Sequence, residues 1–412
     1  MHPLTTLSHS GKQHSYHVAL ALKDLGALTK FYTSAYVASP QLQAYVDRTG
    51  NRYFSRRYLT GLHHPHVDAN WRFELREVVL RRLTGKSKQV QEAVYDRDVA
   101  FDKYVAKRLR REPSNLFWGF QGSCHASLVS ARGAGRITVC ELATAHVTAA
   151  KRILGEEARL HPEWADSIDN LSFPSAYERR LEEEPHRADW CVAASDFTRR
   201  SLIEVGVPDE RIVTLPLGFD ASGIPYDQAT LAHRRRGPLK VLYAGTVTQR
   251  KGIKYLLEAI KGLPSGEFDL HLIGGVQGSG RALASYAGHY THHQPLPQRE
   301  LFQRYADYDV LVLPTLFEGF GLVIVEAMAA GLPVITTPHS TGEALIRNGE
   351  NGYLVPIRNV VALQATLQAL RTTQAEGDYS RLRLAARSAA KDFNWRQYQS
   401  RLSRVLPKFM EG

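Results

Sequence analysis

Short, continuous apolar runs alternate along this chain with amphipathic stretches of helical period. In the second half LKVLYAG (239–245), FDLHLIGG (268–275), DVLVLPT (309–315) and PVITT (333–337) read as strands, separated by helical patterns such as IKYLLEAIKGL and RELFQRYADY. Strands apolar on both faces and alternating with helices predict a parallel sheet covered on both sides. In the first half LTTL, LTKFYTS, NLFWGF, RITVCELA, WCVAAS and RIVTLPL repeat the scheme. The expectation is an α/β protein of two doubly wound domains, residues 1–219 and 239–387, joined by a charged, turn-rich linker over 220–238. Residues 388–412 turn helical, with Trp395 placed to anchor the last helix back on the first domain.

Length and composition agree with that division. At 412 residues the chain exceeds what one core supports, and 43% hydrophobic with 23% charged residues is ordinary for a globular protein. No apolar stretch reaches the roughly 18 residues of a membrane span. The start MHPLTTLSHSGKQHSYH lacks the basic-then-apolar order of a secretory signal, so the expected location is cytoplasmic. Cys124, Cys140 and Cys191 are odd in number and not in metal-ligand spacing, which predicts reduced, buried thiols with neither disulfide nor zinc site.

The net charge of +11 is uneven: residues 48–111 hold 16 Lys and Arg against 7 Asp and Glu, a local excess of +9. WRFELREVVLRRL (71–83) and VAFDKYVAKRLRRE (99–112) space their apolar residues as amphipathic basic helices. Two readings stand: solvated helices packed on a core, or a face that meets anionic lipid or an acidic acceptor, peripheral at the inner face of a membrane. Nucleic acid is the weaker choice, because no binding motif accompanies the charge.

The chemistry concentrates in PTLFEGFGLVIVEAMAAG (314–331), which puts Glu326 inside an apolar helical run and Glu318 ahead of it, with Gly319, Phe320, Gly321 and Leu322 between. DVLVLP is a strand, LFEGFG the loop at its C-terminal end, and LVIVEAMAAG a helix. Ligands of open α/β sheets bind at that edge, where glycines admit a ligand oxygen to the backbone amides and the helix dipole favours an anion. A carboxylate on that helix can accept two hydrogen bonds from neighbouring hydroxyls such as those of a ribose. Alone, Glu326 reads equally well as a buried Glu paired with an internal Arg or a backbone amide. The loop after the domain's first strand, YAGTVTQRKG, adds Arg250 and Lys251 behind Gly245, two cations placed to meet a diphosphate.

With EGFGLVIVE, AGTVTQRKG, ADYDVLVLPTLFEGFG and ENGYLV in order, residues 239–356 resemble the donor half of retaining glycosyltransferases of family 4. The resemblance implies the GT-B fold, two Rossmann-like domains facing across a cleft, and transfer of a sugar from a nucleotide-diphosphate sugar to a sugar or lipid-linked acceptor. Carried over by position, Arg250 and Lys251 would hold the diphosphate, Glu326 the ribose, and Glu318 with the amides of residues 319–322 the sugar and phosphates. Gly11 in SHSGKQHS would lie near the phosphates across the cleft, and His146 in ITVCELATAHVTAAKRI would be a cleft histidine. Thr246 departs from the family's Arg after the strand glycine, which puts more of the diphosphate's neutralisation on Arg250 and Lys251. No cofactor and no metal are expected, since no DxD-like pair of carboxylates accompanies the motif. A nucleotide-sugar 2-epimerase and a silent membrane-associated subunit share the architecture and stand as alternatives. Residues 36–113 are the least matched part.

Overall fold

A computed structural model describes residues 2–84, 88–168, 172–225, 237–376 and 379–411. The apolar runs form the strands expected of them. β1 (Thr5–His9), β2 (Leu28–Thr33), β4 (Leu116–Phe120), β5 (Ile137–Leu142), β6 (Trp190–Ala193) and β7 (Ile212–Thr214) join β3 (Val67–Ala69) in a parallel sheet. Its order is β3-β2-β1-β4-β5-β6-β7. β8 (Leu239–Ala244), β9 (Phe268–Ile273), β10 (Thr291–His293), β11 (Val310–Leu313), β12 (Val334–Thr336) and β13 (Gly352–Leu354) form a second parallel sheet, ordered β10-β9-β8-β11-β12-β13. Both orders reverse direction beside their first strand, between β1 and β4 and between β8 and β11. That reversal opens a crevice at the strand C-terminal ends.

The strands that the apolar pattern misses, β3, β10 and β13, each span three residues and lie at sheet edges. An edge strand needs no second apolar face, so it leaves no apolar run.

The basic segment folds into helices Arg72–Thr84 and Lys88–Leu109, the second beginning well before the expected residue 99. They pack through Phe73, whose ring meets Phe101 edge-on at 5.6 Å. All three cysteines are buried and free, and burial pushes the Cys124 and Cys191 thiols far up.

The chain crosses back at its end. Asn394 caps helix Trp395–Val405 by accepting from the Gln397 amide at 2.9 Å. Trp395 stacks on His17 at 3.8 Å, and Phe409 packs against Trp118 and Trp190 of the first sheet at 5.7 and 5.5 Å. Of the linker read over 220–238, residues 226–236 lie outside the described residues.

Elsewhere the two halves meet through an apolar cluster, in which Phe197 of the first domain stacks on Phe317 of the second at 6.1 Å, and through polar contacts. Glu157, fully buried on helix Val147–Leu160, accepts from Arg358 Nε at 2.7 Å and from Tyr255 Oη at 2.7 Å, and also bonds the Gln249 amide group.

Candidate functional site

At the reversal point of the second sheet the chain leaves β8 through Gly245 and makes a single 3-10 turn, Gln249–Lys251. Gly252 closes the turn with φ 72°, and a Cβ there would lie 1.9 Å from the Pro314 carbonyl oxygen. Only glycine satisfies both the left-handed backbone and that contact. The turn is thereby pressed onto the exit of β11, and its two cations reach the loop that carries Glu318.

Lys251 Nζ lies 2.7 Å and an Arg250 guanidinium nitrogen 3.2 Å from the same Glu318 oxygen. Arg250 also donates to the Phe317 carbonyl at 3.1 Å. Two cations on one carboxylate leave an excess positive charge, held in place before any ligand arrives. Gly321 then begins helix Leu322–Ala329 with no side-chain cap, so the helix N-terminus faces the same space as the cations.

Glu326 sits on that helix with 7% of its surface exposed. Among the described residues its carboxylate bonds neither an Arg nor a backbone amide. Gln298 Nε2 donates to it at 2.7 Å and Tyr305 Oη at 3.3 Å, both neutral donors. Burial raises its pKa, and those two hydrogen bonds only partly oppose the rise. Gln298 and Tyr305 lie well upstream, and nothing local in the sequence marks them as partners of this carboxylate.

Gly245, Arg250, Lys251, Glu318, Leu322 and Glu326 line one cavity of about 800 Å³ with Gly319, Phe320 and Gly321. Its opposite wall comes from the first domain: Gln121, the segment 143–145, and the aromatic residues Tyr95, Phe173 and Tyr177. Tyr95 and Tyr177 stack at 4.4 Å. The aromatic residues of this wall were not singled out from sequence, since they come from distant segments. Gly319 seals the junction, because a Cβ there would lie 1.7 Å from the Ala143 carbonyl oxygen.

Two expected residues lie elsewhere. His146 is buried as the N-cap of helix Val147–Leu160, where its Nδ1 accepts from the Thr148 amide at 3.3 Å. Its ring borders a separate concavity with Glu182, His186 and Arg187. The backbone conformation that starts the helix turns the imidazole away from the cleft. Burial, with the His186 charge, lowers its pKa to about 4. Gly11 borders a third concavity with Lys12, Arg56, Arg57 and Arg97, because the loop after β1 folds toward the basic segment.

The sequence profile described as Glycosyl transferases group 1 matches residues 238–372, the part that carries the cations, both glutamates and the uncapped helix. This part of the chain is a group 1 glycosyltransferase domain. Over 252 residues the chain is 26% identical to the putative colanic acid biosynthesis glycosyltransferase WcaL of Salmonella typhimurium, covering 58% of this chain and 61% of that protein. It is 32% identical over 228 residues to a D-inositol 3-phosphate glycosyltransferase of Xylanimonas cellulosilytica, 50% of this chain and 54% of that one. The chain thus aligns with less than two thirds of these curated relatives. Among solved structures, Anabaena HepE in complex with UDP and glucose superimposes with a TM-score of 0.63 at 15% identity, covering 99% of this chain and 100% of the other. The two sheets have the GT-B arrangement that the sequence resemblance implies.

Proposed function

We propose that this chain transfers a sugar from a nucleoside-diphosphate sugar to an acceptor hydroxyl, with retained anomeric configuration and without a metal ion, in the assembly of a polysaccharide, lipopolysaccharide or glycolipid. The observation that carries the reading is the convergence of Arg250 and Lys251 on Glu318 beside an uncapped helix N-terminus, with Glu326 in the same cavity.

Breaking the bond between the anomeric carbon and phosphate oxygen puts charge on the departing diphosphate. Groups fixed toward those oxygens stabilise the transition state more than the ground state. Lys251, Arg250 and the helix N-terminus supply positive potential there without a metal. Glu318 holds the two cations in position and, at the mouth of the helix, faces the transferred sugar. Glu326, short of a cationic partner, is suited to accept from two vicinal ribose hydroxyls. The aromatic wall of Tyr95, Phe173 and Tyr177 offers apolar faces to the acceptor side. Retention rests on the family resemblance.

Membrane contact has separate support. Leu75, Val79 and Leu83 recur every fourth position on helix Arg72–Thr84 and are 61%, 53% and 76% exposed, with Arg72 and Arg82 on the same helix. An apolar stripe flanked by cations suits an anionic lipid surface. Among the described residues no helix is long and apolar enough to cross a membrane.

A thermal-shift screen with UDP, GDP, ADP and their sugars tests the donor reading, since a ligand stabilises the fold by the logarithm of its saturation. The expected result is a rise in melting temperature with one nucleoside diphosphate and, with its sugar and an acceptor, a glycosylated product of unchanged anomeric configuration by NMR. No shift with any of them would overturn it. Loss of turnover in EDTA with recovery in Mg²⁺ would overturn metal independence. Conversion of the donor sugar without use of an acceptor would mark an epimerase instead.

A further inference from the structure

We propose that the basic concavity beside residues 11–13 is a subsite for a phosphate or diphosphate group carried by the acceptor, held chiefly by Lys12, Arg56 and Arg57; this deepens the glycosyltransferase reading above and rests on it. The concavity measures about 550 Å³ and is lined by His9, Gly11, Lys12, Gln13, Arg56, Arg57, Glu74 and Arg97, all from the first domain. The cations proposed for the donor belong to the second domain and open on a different cavity.

The charges do not cancel. Glu74 is engaged by Arg57 at 2.8 Å and accepts from Ser34 Oγ at 2.8 Å. Arg97 is committed to Asp98 at 2.9 Å and to Glu77. Lys12 and Arg56 have no carboxylate partner among the described residues, and both side chains are exposed to an incoming ligand. The potential shows in two neighbours. Partial desolvation lowers the Lys12 ammonium, and the Arg57 and Arg56 charges lower it further. His9 is lowered to about 3 by burial, then by His14 and Arg97, and its Nδ1 accepts from the Gly11 amide at 2.6 Å. An anion relieves this mutual repulsion, and guanidinium forks match the oxygens of a phosphate.

Position points to the acceptor. The concavity lies past the C-terminal end of β1, at the reversal point of the first sheet, where open α/β sheets take ligands. It backs onto the main cavity through one residue: Asp98 accepts from Arg97, which lines this concavity, at 2.9 Å and from Tyr177 Oη, which lines the main cavity, at 2.8 Å. An anionic group anchored here places the rest of the acceptor along the first-domain side of the cleft.

The test is calorimetric titration of inorganic pyrophosphate into the full chain saturated with whichever nucleoside diphosphate it binds. We expect a remaining pyrophosphate site that weakens at least ~10-fold in Lys12→Gln/Arg56→Gln and recovers in the charge-keeping Lys12→Arg/Arg56→Lys. Absence of a remaining site, equal affinity in the neutral variant, or a matching loss of nucleoside-diphosphate affinity in that variant would overturn the proposal. Failure of every nucleoside diphosphate to bind is a different result, which sinks the donor reading and leaves pyrophosphate binding to test this concavity directly. Flotation with vesicles carrying a polyisoprenyl phosphate, against phosphatidylcholine alone, identifies the source. Binding lost in the neutral variant assigns the phosphate to a lipid-linked acceptor, and unchanged flotation alongside lost pyrophosphate binding assigns it to a soluble one.

Discussion

Lys251 makes the shorter of the two contacts with Glu318, and its tip is the closest side chain to the space above Gly245. Removing it takes away one charge-assisted contact to the diphosphate and half of what positions Glu318. Lys251→Ala is expected to lower kcat/KM by roughly 10²-fold or more, within the range seen when one preorganised donor is lost; near-normal turnover would mean that the diphosphate is held by other groups. Glu326→Ala leaves Gln298 and Tyr305 without their shared acceptor and removes the proposed ribose contact, so nucleoside-diphosphate affinity should fall by about 10-fold or more, read by calorimetry. His146 makes a different prediction. Its folded pKa of about 4 lies below the ordinary value near 6.5, so the unfolded chain binds the extra proton first. The stability that the neutral ring confers is complete above pH 6.5 and is lost as pH falls toward 4. His146→Asn keeps a side-chain acceptor at the helix start and removes the titration. At pH 4.5 it should be spared on the order of 2 kcal/mol of the wild-type loss. Equal pH profiles in urea unfolding would show that the ring is not held neutral. His9 and His17 carry the same sign, while Glu184, raised to about 7 by burial, carries the opposite one, so the difference between variant and wild type isolates His146.

At the level of elements, the strand, loop and helix over 309–331 were legible because each obeys a local rule: an apolar strand, a glycine-bearing loop, a helix with one misplaced carboxylate. The pairing of Lys251 and Arg250 with Glu318 was not, since it depends on Gly252 pressing one loop onto another 62 positions away in sequence, at Pro314. His146 shows the converse failure. Its place after β5 was read correctly, but strand-then-loop order does not say which way a side chain leaves the loop, and its use as a helix cap decided that. Gly319 belongs to this scale as well. Its amide lies in the loop that meets the proposed phosphates, and its missing side chain lets that loop touch the segment 143–145 of the other domain. Gly319→Ala forces the loop or the opposing segment to move, because backbone rather than a flexible side chain stands in the way. We expect at least ~10²-fold loss of kcat/KM from a displacement of about an ångström, with far-ultraviolet circular dichroism unchanged. Full activity would show that the loop need not contact the first domain.

For the molecule as a whole, the question is what keeps two separately folded sheets in the relation that makes the cavity. Apolar patterning explains each sheet but does not show which apolar residues meet across them, as Phe197 of the first domain does with Leu316 and Phe317 of the second. The crossing helix Trp395–Val405 supplies one tie, through Trp395 on His17 and Phe409 on Trp118. The knot around Glu157 supplies another. Glu157 is fully buried on the first domain, whereas Gln249, Tyr255 and Arg358 reach it from the second, and Arg358 also bonds Glu156 at 2.7 Å and the Ile153 carbonyl at 3.0 Å. A buried carboxylate stripped of its cation keeps its desolvation cost and loses the compensating charge, an effect of about 3–5 kcal/mol when no other donor remains. Here Gln249 and Tyr255 remain, so Arg358→Ala should cost about 2–3 kcal/mol in urea unfolding. Arg358→Lys keeps the charge but not the three-way fork and should fall between. None of these four side chains lines the interdomain cavity, so nucleoside-diphosphate affinity should stay within about twofold while turnover, which needs both domains in place, declines. An unchanged unfolding midpoint in Arg358→Ala would show that the knot adds nothing to the domain tie. Affinity and turnover falling together would show that it acts on the donor site itself and not on the relation between the domains.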